Sequence, residues 1–154
     1  MKGLVTVFLI CINGFQLTSQ SFDLEVVRQQ YSQSVTDKTV CQNMITELSK
    51  KTETDVHLAY LGAYQTIWAN HIFNPISKLA TFKKGKANIE KAVQQASENV
   101  EIRFIRLSVQ QNCPKFLGYY QNISEDRDYL IRYKNTVTSV ILQKQIKTLL
   151  NKLE

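Results

Sequence analysis

The segment Asn99–Gln110 (NVEIRFIRLSVQ) constrains the fold more than any other part of the chain. As a β-strand its apolar residues would alternate, but the alternation changes phase between Phe104 and Ile105. An α-helix accounts for the same residues without a change of phase. It places them on two opposite faces, Val100, Phe104 and Leu107 on one and Ile102, Ile105 and Val109 on the other. Because a helix that is apolar on two faces needs neighbours on both, we predict a buried central helix that ends before Pro114.

The rest of the chain also has the spacing of amphipathic helices. Further helix starts are predicted at residues that commonly cap helices: Asp37, Thr54 or Asp55, Asn74 before Pro75, and Ser124. Gly85 is expected to be a weak point in the long helix after Pro75. Thr136–Leu142 is rich in β-branched residues and could form a strand, but its helical flanks favour a helix broken near Asn135. The predicted fold class is all-α, with five to seven helices.

The amino terminus predicts export. Lys2 precedes an apolar run from Leu4 to Ile12, and small polar residues follow up to Ser19 and Ser21. This pattern is typical of a secretory signal peptide, residues 1–21, cleaved after Ser21 or else after Ser19. The run is too short to span a membrane. We therefore expect a single helical domain, residues 22–154, that is periplasmic or secreted and has no transmembrane span.

Two cysteines would remain after cleavage, Cys41 and Cys113. In an exported chain they could form one disulfide. Two reduced thiols are an equally good interpretation, because the sequence does not tell whether their Cα atoms lie close enough.

Several kinds of site are not indicated. His57 and His71 would lie about 21 Å apart on one helix, too far to share a metal ion, and no zinc spacing or phosphate-binding loop is present. The carboxylates Glu125, Asp126 and Asp128 have the position of acids that complement a helix dipole. We expect no cofactor, no metal and no nucleic acid.

Two sets of residues are candidate contacts for a partner. Tyr60, Tyr64 and Trp68 recur at four-residue spacing along one helix, where they would line either the core or a partly open groove. Arg103 and Arg106 share the polar edge of the central helix, where they would either contact a partner or pair with buried carboxylates.

Part of the chain resembles tetratricopeptide repeats. Leu61-Gly62 is similar to the Leu-Gly pair of the first repeat helix, and Gly85, Ile89 and Ala92 keep the spacing of the second. The chain has Gln65 where that family has tyrosine and Ser97 where a proline usually ends the repeat, so one degenerate repeat is visible, over 55–109. The resemblance implies a small tetratricopeptide-like helical array, beside the alternative of an irregular bundle. The stretches NPISKLATFKKGK, NVEIRFIRLSVQ and PKFLGY also resemble small exported bacterial proteins of unassigned function, and that likeness implies no activity.

The leading functional hypothesis is a non-enzymatic exported protein that binds a protein or peptide of the cell envelope, since helical arrays present grooves between their helices. The alternative is a small envelope enzyme of the hydrolase type, with a site assembled from residues distant in sequence. A third hypothesis rests on charge: without Lys2, 18 basic residues face 13 acidic ones, and a net charge of about +5 would favour anionic envelope components.

Overall fold

The computed structural model describes residues 23–153, and these form seven α-helices, three short 3-10 turns and no strand. The predicted all-α class is therefore confirmed, whereas the predicted signal peptide lies outside the described residues. The helices are α1 Leu24–Tyr31, α2 Lys38–Lys50, α3 Asp55–Asn70, α4 Pro75–Gln95, α5 Val100–Asn112, α6 Ile123–Tyr133 and α7 Val140–Asn151. Over this part of the chain, no helix is both long enough and apolar enough to span a membrane.

Side-chain caps fix most of the helix starts. Asp37 accepts hydrogen bonds from the amides of Thr39 and Val40, and Thr54 accepts one from the amide of His57. Capping by Asn74 and Asn99 likewise starts α4 and α5. The sequence predicts the caps at Asp37, Thr54 and Asn74 because each satisfies amides that have no partner within the helix, and the cap at Asn99, which was not predicted, acts in the same way.

Two predictions about the carboxyl-terminal third have different outcomes. Ser124 does not cap α6, because the helix already begins at Ile123 and Ser124 lies within its first turn. The predicted break near Asn135 is present as a 3-10 turn, Lys134–Thr136, after α6. The helix predicted for Thr136–Leu142 is confirmed only from Val140 onward, because Ser139 caps α7 and the residues just before it have extended backbone.

Helices α3 and α4 form a closely packed hairpin through two glycines. A Cβ atom built on Gly62 would lie 2.5 Å from the carbonyl oxygen of Gly85, and a Cβ on Gly85 would lie equally close to the carbonyl of Gly62. Real side chains do not tolerate such distances, so only glycine permits this crossing. The expected weak point at Gly85 does not interrupt α4, and Gly85 is the position at which α4 approaches α3 most closely.

Helix α5 occupies the centre of the fold, as predicted. Every residue from Glu101 to Gln110 is buried, and α5 contacts α3, α4, α6 and α7. Its polar side chains are buried with its apolar ones, so each of them needs a partner inside the protein.

Candidate functional site

Tyr60 and Tyr64 belong to the core and do not line an open groove. Both side chains are fully buried. The hydroxyl of Tyr60 donates to a carboxylate oxygen of Glu101 at 2.8 Å, and that of Tyr64 donates to the carbonyl of Val27 at 2.8 Å. Edge contacts with Tyr31 complete the packing of both rings. A partner therefore cannot reach these two residues without opening the fold.

Trp68, the third predicted aromatic, lies nearer the surface. It is partly exposed, the ammonium group of Lys38 lies 5.2 Å from the centre of its ring, and the ring of His71 packs beside it. The three predicted aromatics thus divide between the core and one end of the molecule. Their sequence spacing did not reveal this division, because burial depends on what packs against each turn of α3.

Arg103 and Arg106 are buried and paired with a carboxylate that is itself fully buried. Arg103 donates to Asp126 at 2.8 Å, and Arg106 donates to the same carboxylate at 2.6 and 2.7 Å. Glu125 and Glu90 lie at the outer side of the two guanidinium groups. Of the two predicted roles for these arginines, the structure contains the pairing with buried carboxylates.

This cluster also corrects the interpretation of the acids at the start of α6. Asp126 does more than complement the helix dipole, because its side chain is 0% exposed and accepts all three of those hydrogen bonds. Glu125, at 57% side-chain exposure, forms the outer part of the cluster, and its hydrogen bond from Arg103 lowers its pKa. No local pattern predicts the pairing, since 20 residues separate Arg106 from Asp126.

Cys41 and Cys113 are both free thiols in the structure, so the possible disulfide is not formed. Cys41 is fully buried in α2, and its thiol donates to the carbonyl of Tyr64 at 3.4 Å. Burial raises the pKa of this thiol to about 12, which makes it a poor nucleophile. Cys113 lies at the carboxyl end of α5, where it is partly exposed.

The histidines serve local contacts. The Nδ1 atom of His57 lies 2.8 Å from the hydroxyl of Thr54, and the Nε2 atom of His71 lies 3.1 Å from the carbonyl of Ser34. Among residues 23–153 there is no group of three or more histidine, cysteine or acidic side chains that could hold a metal ion.

An open cleft of about 320 Å³ lies between α1, the start of α5 and the segment Thr136–Ser139 before α7. We call it the α1–α5–α7 cleft. On its floor Arg28 donates to both carboxylate oxygens of Glu101, at 2.7 and 2.6 Å, and Glu101 also accepts from Tyr60. These charged groups satisfy one another and are held in place. Three segments far apart in sequence form the cleft, so no sequence motif predicts it.

One wall of the cleft has an extended backbone. Val137 and Ser139 have the φ and ψ angles of extended chain, and Thr138 between them is exposed. Apart from the helices, the backbone hydrogen bonds formed by residues 23–153 do not involve the amide or carbonyl of Thr138. The cleft thus combines charged groups that satisfy one another on its floor with the exposed backbone of Thr138 on its wall.

Comparisons of the chain with models of protein families, with curated proteins and with solved structures gave no match.

Proposed function

We propose that the protein is an exported, non-enzymatic binding protein of the periplasm whose α1–α5–α7 cleft holds a segment of a protein or peptide of the cell envelope. The observation that carries this proposal is the extended segment Val137–Ser139 along one wall of the cleft. An extended peptide can pair its main chain with such a segment, in the way that peptides add to the edge of a sheet.

The floor of the cleft supports the same function. The guanidinium of Arg28 is fixed by Glu101 and also by Glu25, at 2.6 Å. Because these side chains are already ordered, a ligand that contacts them loses little further conformational freedom in the protein. Charged groups that are fully paired suit recognition better than proton transfer.

Peptide selection tests the binding proposal. Peptides that bind residues 22–154 would be selected from a random displayed library, and their affinities measured by isothermal titration calorimetry. Thr138→Pro removes one backbone donor from the wall and should weaken binding roughly tenfold, the cost of one to two hydrogen bonds. Glu53→Pro is the matched control, since it puts proline in the exposed loop between α2 and α3.

Both variants should keep the melting temperature of the wild type. A native partner captured from isolated envelopes should be displaced by the selected peptide. Equal affinity of the wild type and the Thr138 variant for every selected peptide would contradict binding at this wall.

The amino-terminal pattern supports export and can be tested separately. Mass spectrometry of the protein isolated from its native cells should show a chain that begins between Gln20 and Phe22. A cytoplasmic chain that begins at Met1 would contradict this part of the proposal.

A further inference from the structure

The turn between α3 and α4 exposes apolar side chains at one end of the molecule. Phe73 is 100% exposed and Ile76 is 81% exposed. Every residue from Phe73 to Ala80 is exposed, so the first turns of α4 project beyond the helices that cover the rest of it. We call residues 71–79 the hairpin tip. Burying these side chains elsewhere would be favourable, because removing apolar surface from water lowers the free energy.

The hairpin tip is held rigidly in this exposed position. Asn74 accepts hydrogen bonds from the amides of Ile76 and Ser77, and Nε2 of His71 lies 3.1 Å from the carbonyl of Ser34. Further along the hairpin, the glycine crossing locks α4 onto α3. The apolar side chains are therefore presented by a fixed element and need no rearrangement to meet a binding surface.

Within the α3–α4 hairpin, the charged side chains near the tip have one sign. The sequence contains no aspartate or glutamate between Val56 and Ile89, but it contains exposed lysines at 78, 83 and 84. None of the salt bridges formed within residues 23–153 involves these three lysines. Lys83 follows Pro75 by eight positions, about 12 Å along the helix. The apolar side chains of the hairpin tip are thus followed along α4 by three exposed, positively charged lysines.

Three kinds of surface could cover the hairpin tip, and charge and shape decide between them. A symmetric contact with a second copy would bring the lysines of the two tips together, which is unfavourable. A protein partner would need a pocket for a projecting turn. An anionic lipid surface accepts a convex apolar tip between its headgroups and attracts the lysines around it.

We propose that the hairpin tip docks the protein onto an anionic lipid surface, with Phe73 and Ile76 inserted and the lysines at 78, 83 and 84 at headgroup level. The α1–α5–α7 cleft borders the start of α5, just beyond the other end of α4. The length of α4, about 31 Å, therefore separates the two surfaces. Membrane docking does not depend on peptide binding in the cleft, and each can fail without the other.

The fluorescence of Trp68 can report whether the hairpin tip binds lipid vesicles. Trp68 is the sole tryptophan in the sequence and lies one helical turn before the hairpin tip. Residues 22–154 would be mixed with vesicles of phosphatidylcholine that contain phosphatidylglycerol, and with vesicles of phosphatidylcholine alone. Cosedimentation should show binding to the anionic vesicles only, and the emission of Trp68 should shift to the blue. Binding should weaken as salt is added, because salt screens the lysines.

Paired variants test the two parts of the surface. Phe73→Ser with Ile76→Ser should lower vesicle binding roughly a hundredfold or more, whereas Ile131→Ser with Val140→Ser, which removes exposed apolar groups on α6 and α7, should not. Lys78→Gln with Lys83→Gln should lower binding about fivefold for each lysine. Lys144→Gln with Lys152→Gln, the same change of charge elsewhere, should have a smaller effect.

Three outcomes would overturn the proposal. The first is the absence of vesicle binding by the wild type. The second is binding that the tip variants and the control variants weaken equally, since net charge alone would then explain it. The third is a dimer that the serine variants of Phe73 and Ile76 convert to a monomer, because a second copy would then be the occupant.

Discussion

Removing the buried carboxylate of Asp126 should cost far more stability than removing the exposed carboxylate of its neighbour Glu125. The two residues are adjacent in α6, and both pair with Arg103. They differ in exposure, since the side chain of Asp126 is 0% exposed and that of Glu125 is 57% exposed. The changes Asp126→Asn and Glu125→Gln each remove one negative charge and leave the size of the side chain almost unaltered.

The expected magnitudes follow from burial. Asp126→Asn leaves two buried guanidinium groups without the carboxylate that accepts three of their hydrogen bonds. Removing one partner of a buried ion pair costs about 3–5 kcal/mol. Because Glu90 and Glu125 still face these arginines, we expect the lower end of that range, about 3 kcal/mol. Glu125→Gln breaks a solvent-screened pair and should cost less than about 1 kcal/mol.

Urea unfolding followed by far-ultraviolet circular dichroism measures both changes. The denaturant slope should stay constant, so that shifts of the midpoint report stability alone. Phe104→Ala provides the scale, since loss of this buried ring should cost about 3–5 kcal/mol. Arg103→Ala combined with Arg106→Ala should destabilise the protein to a similar extent, because it leaves Asp126 without its partners. Equal losses for Asp126→Asn and Glu125→Gln, or a loss below about 1 kcal/mol for Asp126→Asn, would refute this reasoning.

Three further predictions concern other parts of the core. Gly85→Ala should destabilise the protein by several kcal/mol despite the better helix propensity of alanine, because its Cβ would meet the carbonyl of Gly62 at 2.5 Å. Gly118→Ala is the control, since a Cβ there meets nothing within 4 Å. It should cost only about 1 kcal/mol in the same urea assay, because φ at this position is +62°. Burial raises the pKa of Tyr31 to about 12. The stability that this tyrosine contributes should be fully present below its unfolded pKa of about 10 and should be lost between about pH 10 and 12, because the unfolded chain loses the proton first. A melting temperature that stays constant over this interval would contradict the prediction, and Tyr31→Phe should make the decrease in melting temperature smaller. In the native protein a thiol reagent should modify Cys113 readily and Cys41 only at the rate at which the fold opens, whereas both thiols should react in urea. Mass spectrometry of the labelled peptides distinguishes the two cysteines. Equal labelling rates in the native state would contradict the burial of Cys41.

The sequence by itself determined the helical class, most helix starts and the central position of α5. The predicted caps at Asp37, Thr54 and Asn74 depend on local contacts, because each accepts from amides two or three residues away. The two apolar faces of α5 are equally a property of one short segment. Such features can be predicted from the sequence because the groups that interact lie within a few residues of each other along the chain.

Only the tertiary structure decided which polar groups are buried and which apolar groups are exposed. Asp126 and Arg106 satisfy each other across 20 residues, and Gly85 is required because Gly62 of another helix lies against it. Phe73 and Tyr64 are both aromatic residues of the α3–α4 hairpin, yet one is fully exposed and the other fully buried. Burial depends on which segments meet in space, and contacts between distant parts of the chain leave no periodic signal in the sequence.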